Sequence, residues 1–184
     1  NLYSPASNFA RLPDRPEKSA HYAYACDLLR GFVYLESKKI EKIGFFGVRK
    51  GAFAVYKAAF VMPKAKFAIA LYNSTYIPTL NLSGSDETVW GASLDNGGYA
   101  SHLTVPTYAV IGSNDPDDAL GAISRLHEAS SDSVYMHIDA HRSLSLDADA
   151  RESVFSFMDF CVREYNYIPA TPLLTAKASE RKLY

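Results

Sequence analysis

The chain has 184 residues, of which 48% are hydrophobic, and its formal net charge is −1. This length suits one domain with a sizeable buried core. The near-neutral charge argues against a nucleic-acid-binding surface, and no apolar run reaches the roughly 18 residues that a membrane span needs.

The N-terminal quarter of the chain predicts a linker followed by a helix. Residues 1–16 are polar and contain three prolines, which is typical of a linker. Residues 17–38 carry apolar side chains at intervals of three and four, which predicts a helix with one buried face. The residues of that face are Ala25, Leu28, Leu29, Phe32 and Leu35.

Two short apolar runs then flank a second helix. Residues 42–46 form a run that ends at Gly47 and predict a strand buried on both faces. Residues 51–61 have a helical composition, and Pro63 ends that helix. Residues 67–72 predict a second buried strand.

The C-terminal half begins with an irregular stretch and returns to alternating elements. Residues 73–104 are rich in Asn, Ser, Thr and Gly without a clear period, and they predict a lid or insertion loop. Beyond them the pattern predicts a strand over 106–112, a helix over 117–130, a strand over 134–138 and an amphipathic helix over 147–163.

This order predicts an α/β domain over residues 17–165, with a mostly parallel sheet and helices on both faces. Residues 166–184 are expected to form a loosely packed tail. In such sheets the functional site lies at the carboxyl ends of the strands.

Gly47-Val48-Arg49-Lys50-Gly51 connects a predicted strand directly to a predicted helix. Strand, tight turn and helix are the context of a nucleophile elbow, G-x-S-x-G. The outer glycines are expected to let strand and helix approach closely around a strained central residue.

Two further polar residues follow strands in the order that an elbow requires. Asp115 comes directly after strand 106–112, and His141 follows strand 134–138. In α/β-hydrolases the nucleophile comes first along the chain, then the acid, then the histidine, and the carboxylate orients the histidine as a base. The sequence therefore predicts a degenerate triad of Arg49, Asp115 and His141.

The segment Ile43-Gly44-Phe45-Phe46-Gly47-Val48-Arg49-Lys50-Gly51-Ala52 resembles the elbow of acyl-CoA thioesterases and bile acid-CoA:amino acid N-acyltransferases. The helix before it, and Gly112-Ser113-Asn114-Asp115 after the third strand, are similar to acetyl xylan esterases. The resemblance covers residues 17–163 and implies an α/β-hydrolase fold with an esterase-like or thioesterase-like site.

The chain departs from this pattern in two ways. Arg49 stands where the families have Ser or Cys, and a protonated guanidinium is not a nucleophile. The strands that precede the elbow in these families are also missing from the pattern, which implies an exposed edge at the elbow strand. A partner chain, a homo-oligomer or an upstream part of the protein is expected to complete the sheet.

The leading hypothesis is a pseudoenzyme, or a binding or structural subunit, of hydrolase fold. Arg49 with its neighbours Val48 and Lys50, at the start of a helix, predicts a binding site for a small acyl or anionic ligand. The alternative is an active ester or thioester hydrolase or acyltransferase, which uses His141 and Asp115 with another nucleophile or with a directly activated water.

Simpler interpretations of the same residues remain open. Arg49 is also compatible with an exposed turn in an ordinary α/β sheet, and His141 with a turn residue. The carboxylates from Asp115 to Asp118 are also compatible with a helix N-cap. Ser101, Ser113 and Ser143 lie near strand ends or the lid, but none stands on a strand–turn–helix elbow.

Cys26 and Cys161 lie in apolar helical patterns and predict buried free thiols, with a disulfide between the two helices as the alternative. No Cys or His spacing indicates a metal site, and no cofactor is expected. Without a recognisable signal peptide, a cytoplasmic location is favoured.

Overall fold

The computed structural model describes residues 20–72, 96–113, 128, 132–139 and 148–163. Within them, the predicted helices and strands are present in the predicted order, except for the helix over 117–130, which lies outside the description apart from Glu128. In chain order the elements are α1 (Ala20–Ser37), β1 (Phe45–Val48), α2 (Lys50–Val61), β2 (Ala68–Leu71), α3 (Asn96–Ala100), β3 (Thr107–Gly112), β4 (Val134–Asp139) and α4 (Ala148–Arg163).

The described strands form one parallel sheet in the order β1-β2-β3-β4. Every residue of β2 and β3 is buried, because helices cover both faces of the sheet there. On β1, in contrast, buried and exposed residues alternate. The predicted α/β class and the parallel sheet are confirmed.

One face of the sheet packs against α1 and α2. Phe32 of α1 lies 5.4 Å from Phe45 of β1, measured between ring centroids. Residues Ala52 to Ala59 of α2 are all buried, as expected of a helix that is apolar on nearly every side. The single-turn helix α3 also contacts α2 on this face.

The opposite face packs against α4. Phe157 is 1% exposed and stacks on Tyr108 of β3 at 5.0 Å between centroids. Val154 packs in the same cluster as Ile69 and Leu71 of β2. The amphipathic character predicted for the last helix is therefore confirmed, with Val154 and Phe157 on the side that faces the sheet.

Some predicted details are wrong. Strand β1 begins three residues later than predicted and continues through Gly47 and Val48. Leu35 and Cys26 were expected to be buried, yet both are exposed on α1. Both cysteines are free thiols, as expected. Residues 96–100, inside the predicted lid, form the helix α3.

Several predictions concern residues outside the described ranges. These are the linker 1–16, the lid apart from 96–104, the helix 117–130 apart from Glu128, and the tail 166–184.

Candidate functional site at the carboxyl end of the sheet

Arg49 alone joins β1 to α2, so the chain turns from strand into helix within one residue. Its backbone has φ 54° and ψ −111°, a conformation that residues other than glycine rarely adopt. The Arg49 N–H donates to the Leu71 carbonyl at 2.7 Å, and the Arg49 carbonyl accepts from Phe53 N–H at 3.4 Å. These bonds fix a turn that carries about 1–3 kcal/mol of backbone strain.

Gly47 makes this turn sterically feasible. A Cβ on Gly47 would lie 2.4 Å from the backbone carbonyl of Gly51, closer than any real contact. Gly51 has no such requirement, because a Cβ there would meet no heavy atom within 4 Å. The predicted close approach of strand and helix is confirmed. Of the two glycines, only Gly47 is required by it, because only there would a Cβ collide with the backbone.

The Arg49 side chain is exposed at the N-terminus of α2 and makes no capping hydrogen bond to the helix. Val48, which precedes it, is also exposed, and the Lys50 side chain lies outside the description. A guanidinium beside the N–H groups at the start of a helix is suited to binding an anion.

A side-chain hydrogen bond at the same end of the sheet connects the end of β2 to the end of β4. Tyr72 directly follows β2, also has a positive φ of 53°, and donates its N–H to the Val110 carbonyl. Its hydroxyl donates to Asp139 Oδ2 at 2.8 Å, and both side chains are buried. Because β3 lies between β2 and β4, the Tyr72 side chain spans the end of β3.

Sequence reasoning assigned no role to Tyr72 and Asp139. The available signal was their position, since Asp139 ends a strand two residues before His141 and Tyr72 ends an apolar run. Ser113 N–H also donates to the Asp139 carbonyl, which ties the end of β3 to the end of β4. The carboxyl ends of β2, β3 and β4 are therefore held together by hydrogen bonds.

Asp115 and His141 lie outside the described residues, so their distances to Arg49 are untested. The nearest described residues are Ser113 and Asp139, both at the carboxyl edge of the sheet. Ser101 lies in an exposed turn after α3, where its hydroxyl donates to the Gly98 carbonyl, and Ser143 is outside the description.

A buried polar cluster between α2 and α3 was also missed. Lys57 is 3% exposed, donates to Asn96 Oδ1 at 3.3 Å, and lies within 5 Å of the ring centres of Phe53 and Tyr99. The feature of the sequence that indicates this cluster is Lys57, a lone lysine inside the apolar run 51–61. The two rings and the amide stabilise the ammonium group away from bulk water.

Within the described ranges, no three His, Cys, Asp or Glu side chains converge as metal ligands. Among those same ranges, no helix combines the length and apolarity that a bilayer crossing requires.

This chain is similar in fold to parts of several solved structures. Acetyl xylan esterase from Paenibacillus sp. R4 matches 78% of this chain with a TM-score of 0.66 and 14% identity, over 54% of its own length. A 2,6-dihydroxy-pseudo-oxynicotine hydrolase matches 88% with a TM-score of 0.61 and 16% identity, over 51% of its length. Pyrococcus horikoshii acylaminoacyl peptidase matches 74% with a TM-score of 0.52 and 18% identity, over 27% of its length.

The chain therefore has part of the α/β-hydrolase fold, and it spans about half the length of the first two structures. No protein-family model matches it, and no curated protein sequence is significantly similar to it. At these identities the likeness concerns the fold alone.

Proposed function

We propose that this chain is a hydrolase-fold protein without a nucleophile, and that it binds a small acyl or anionic ligand at the carboxyl end of its sheet. The observation that supports this most directly is the backbone of Arg49. A strained single-residue turn between a strand of the parallel sheet and a buried helix is the site where hydrolases of this fold present their nucleophile. Here that turn presents a guanidinium.

The chemistry of the arginine side chain distinguishes the proposed binding protein from an active enzyme. A guanidinium stays protonated and cannot form an acyl intermediate, so the covalent route is closed at this residue. The same group offers several N–H donors in a planar fork, which suits a carboxylate or a phosphate. Binding without turnover is the function that such a turn supports.

The ligand class follows from the elbow sequence. Its similarity to acyl-CoA thioesterases and to acyltransferases that use acyl-CoA favours a ligand that combines an acyl group with phosphates. We accordingly choose acetyl-CoA, inorganic phosphate and acetate as probes. Calorimetry is expected to show binding of at least one of them, and a null result for all three would remove the ligand from the proposal.

A matched pair of variants assigns the binding to Arg49. Arg49→Ala is expected to weaken the affinity for the bound probe at least about tenfold, since a charge-assisted hydrogen bond contributes about 1.5–3 kcal/mol. Arg151→Ala removes an exposed arginine from α4 and is expected to leave the affinity unchanged. Equal affinities for Arg49→Ala and wild type would place the binding elsewhere.

A fluorophosphonate probe tests the absence of a nucleophile. No serine is expected to be labelled, and the protein is expected not to hydrolyse p-nitrophenyl acetate above the buffer rate. Labelling of Ser113, which lies at the carboxyl edge of the sheet, or of any other serine would instead support an active hydrolase that uses His141 and Asp115.

A further inference from the structure

We propose that the amino end of the sheet is a docking surface for a lipid bilayer that carries anionic headgroups. The proposal does not depend on the ligand proposed above, because that ligand belongs to the opposite end of the sheet. It rests on a group of lysines, on apolar side chains that are exposed among them, and on the strained backbone of Lys39.

Five lysines lie in the two chain segments, 36–43 and 62–66, that lead into β1 and β2. We call them the lysine patch: Lys38, Lys39, Lys42, Lys64 and Lys66. The Lys66 N–H donates to the Ile43 carbonyl at 2.8 Å, and Lys64 pairs with Glu36, so the two segments lie side by side. Five lysines against Glu36 and Glu41 leave these segments with a net charge of +3, in a chain whose net charge is −1.

Helix ends explain part of this charge. Helices α1 and α2 end directly before these segments, and the Lys42 Nζ donates to the Val162 carbonyl near the end of α4 at 2.8 Å. The carboxyl ends of helices carry partial negative charge, which favours cations beside them. The helix dipoles therefore account for lysines at this end of the sheet, but they do not account for exposed apolar side chains among the lysines.

Two of these apolar side chains flank the lysine patch directly. Ile40 follows the end of α1 and is 44% exposed, and Val61 is the last residue of α2 and is 57% exposed. The ion pair between Lys64 and Glu36 holds the two helix ends together, so both side chains lie at the same end of the molecule. Apolar side chains among several lysines are typical of surfaces that insert into the headgroup region of an anionic membrane.

The backbone at the end of α1 adds a separate observation. The Lys39 N–H donates to the Glu36 carbonyl at 2.8 Å and the Ile40 N–H to the Leu35 carbonyl at 3.3 Å, which is the Schellman termination of a helix. Lys39 has a φ of 63° at the position where this termination usually has glycine. The chain thus retains a strained lysine beside an exposed isoleucine, where glycine would be more stable.

Sedimentation with lipid vesicles tests the proposal on the full polypeptide that the source makes. We expect the protein to sediment with vesicles of phosphatidylcholine and phosphatidylserine, to remain in solution with phosphatidylcholine alone, and to be released as the ionic strength rises. No binding to phosphatidylserine, or equal binding to both compositions, would overturn the proposal. Binding to double-stranded DNA or to polyglutamate without binding to phosphatidylserine would assign the lysine patch to another partner and would also overturn it.

Charge variants assign the binding to the lysine patch. Lys39→Gly with Lys66→Ala is expected to lower the partition coefficient about 25-fold, since each lysine near an anionic surface contributes about fivefold. Lys39→Gly alone is expected to raise the melting temperature, because glycine relieves the positive φ, so its weaker binding cannot come from unfolding. Unchanged partition of the double variant would contradict the proposal.

Arg151→Ala is the matched control, because it also removes one exposed positive charge. Arg151 precedes Val162 by eleven residues of α4, which places it roughly 16 Å from the lysine patch end of that helix. It is expected to bind vesicles like wild type. A loss equal to that of Lys39→Gly would show that total charge rather than this surface controls the binding, and would overturn the proposal.

Apolar variants distinguish insertion from purely electrostatic attraction. Ile40→Ser with Val61→Ser keeps every charge and is expected to lower the partition coefficient at least about fivefold, because both side chains lose apolar area that the membrane would cover. Both residues are already exposed, so the melting temperature is expected to stay close to that of wild type. Vesicle binding that is undiminished in this variant would overturn docking through Ile40 and Val61.

Discussion

At the scale of single residues, Gly47 carries the steric requirement of the elbow. We predict that Gly47→Ala lowers the free energy of unfolding by at least about 2 kcal/mol, because its Cβ would collide with rigid backbone rather than with a flexible side chain. Urea unfolding monitored by circular dichroism measures the difference.

Gly51 is the matched control for Gly47. It lies in the first turn of α2 with open space around its Cα, so Gly51→Ala is expected to be neutral or to stabilise by up to about 1 kcal/mol through helix propensity. If both substitutions destabilised equally, the close approach of β1 and α2 would not explain the requirement.

The bond from Tyr72 to Asp139 is a second residue-scale feature with a measurable consequence. Tyr72→Phe removes the donor and leaves a buried carboxyl group without that partner, so we expect a loss of about 1–3 kcal/mol in unfolding free energy. Tyr34→Phe on the exposed side of α1 is the control and is expected to change stability by less than about 0.5 kcal/mol. Equal stability of Tyr72→Phe and wild type would show that this bond does not hold the strand ends together.

The two cysteines are expected to differ in reactivity. Burial raises the pKa of the Cys161 thiol to about 11, so only about one part in a thousand is thiolate at pH 8. Iodoacetamide at pH 8 is expected to label exposed Cys26 rapidly in the folded protein, and to label half-buried Cys161 much more slowly until the chain unfolds. Labelling of Cys161 in the folded state is expected to accelerate as the pH rises toward 11, and rapid labelling at pH 8 would contradict its burial.

At the scale of elements, α4 covers its face of the sheet mainly through Phe157, which contacts both Tyr108 and Tyr135. Phe157→Ala is expected to lower the unfolding free energy by about 3–5 kcal/mol, through lost burial and the cavity left behind. Phe155→Ala, two residues away and largely exposed, is expected to have little effect. Thermal unfolding of the two variants compares the two faces of one helix directly, and similar losses would mean that α4 does not cover the sheet as described.

The helices and strands were largely predictable because apolar periodicity records which faces are buried. The runs 67–72 and 106–112 correspond closely to β2 and β3, which are buried on both faces. The start of β1 was not predictable from its own residues. A strand ladder begins where its partner begins, and β2 starts at Ala68, opposite Phe45.

The site was predictable only in part. The spacing of Gly47 and Gly51 around Arg49 predicted a strained turn, and the positive φ of Arg49 confirms it. The bond between Tyr72 and Asp139 joins residues that are 67 positions apart, so it depends on strand order rather than on any local pattern. The grouping of Asp115 and His141 with Arg49 remains a prediction.

At the scale of the whole molecule, the strain at Arg49 connects stability to the proposed ligand binding. Replacing Arg49 with glycine relieves the positive φ, and we expect a gain of about 1 kcal/mol, or roughly 2–4 °C in melting temperature. Arg49→Ala removes the same guanidinium but keeps a Cβ, so it is expected to show no such gain. The difference between the two variants isolates the backbone strain from the contacts of the side chain.

The same variants test whether the strained turn serves ligand binding. A ligand at 100 times its Kd stabilises the folded state by about 2.7 kcal/mol, which raises the melting temperature by roughly 5–10 °C. We expect this shift for wild type with acetyl-CoA or phosphate at constant ionic strength, and a shift at most about half as large for Arg49→Gly or Arg49→Ala, because a tenfold weaker affinity leaves about 1.4 kcal/mol of stabilisation. A variant that is more stable without ligand and responds less to it would mean that the turn retains an unfavourable conformation in order to present the guanidinium. Equal shifts in all three proteins would place the anion at another site and leave the strain at Arg49 without a role in binding.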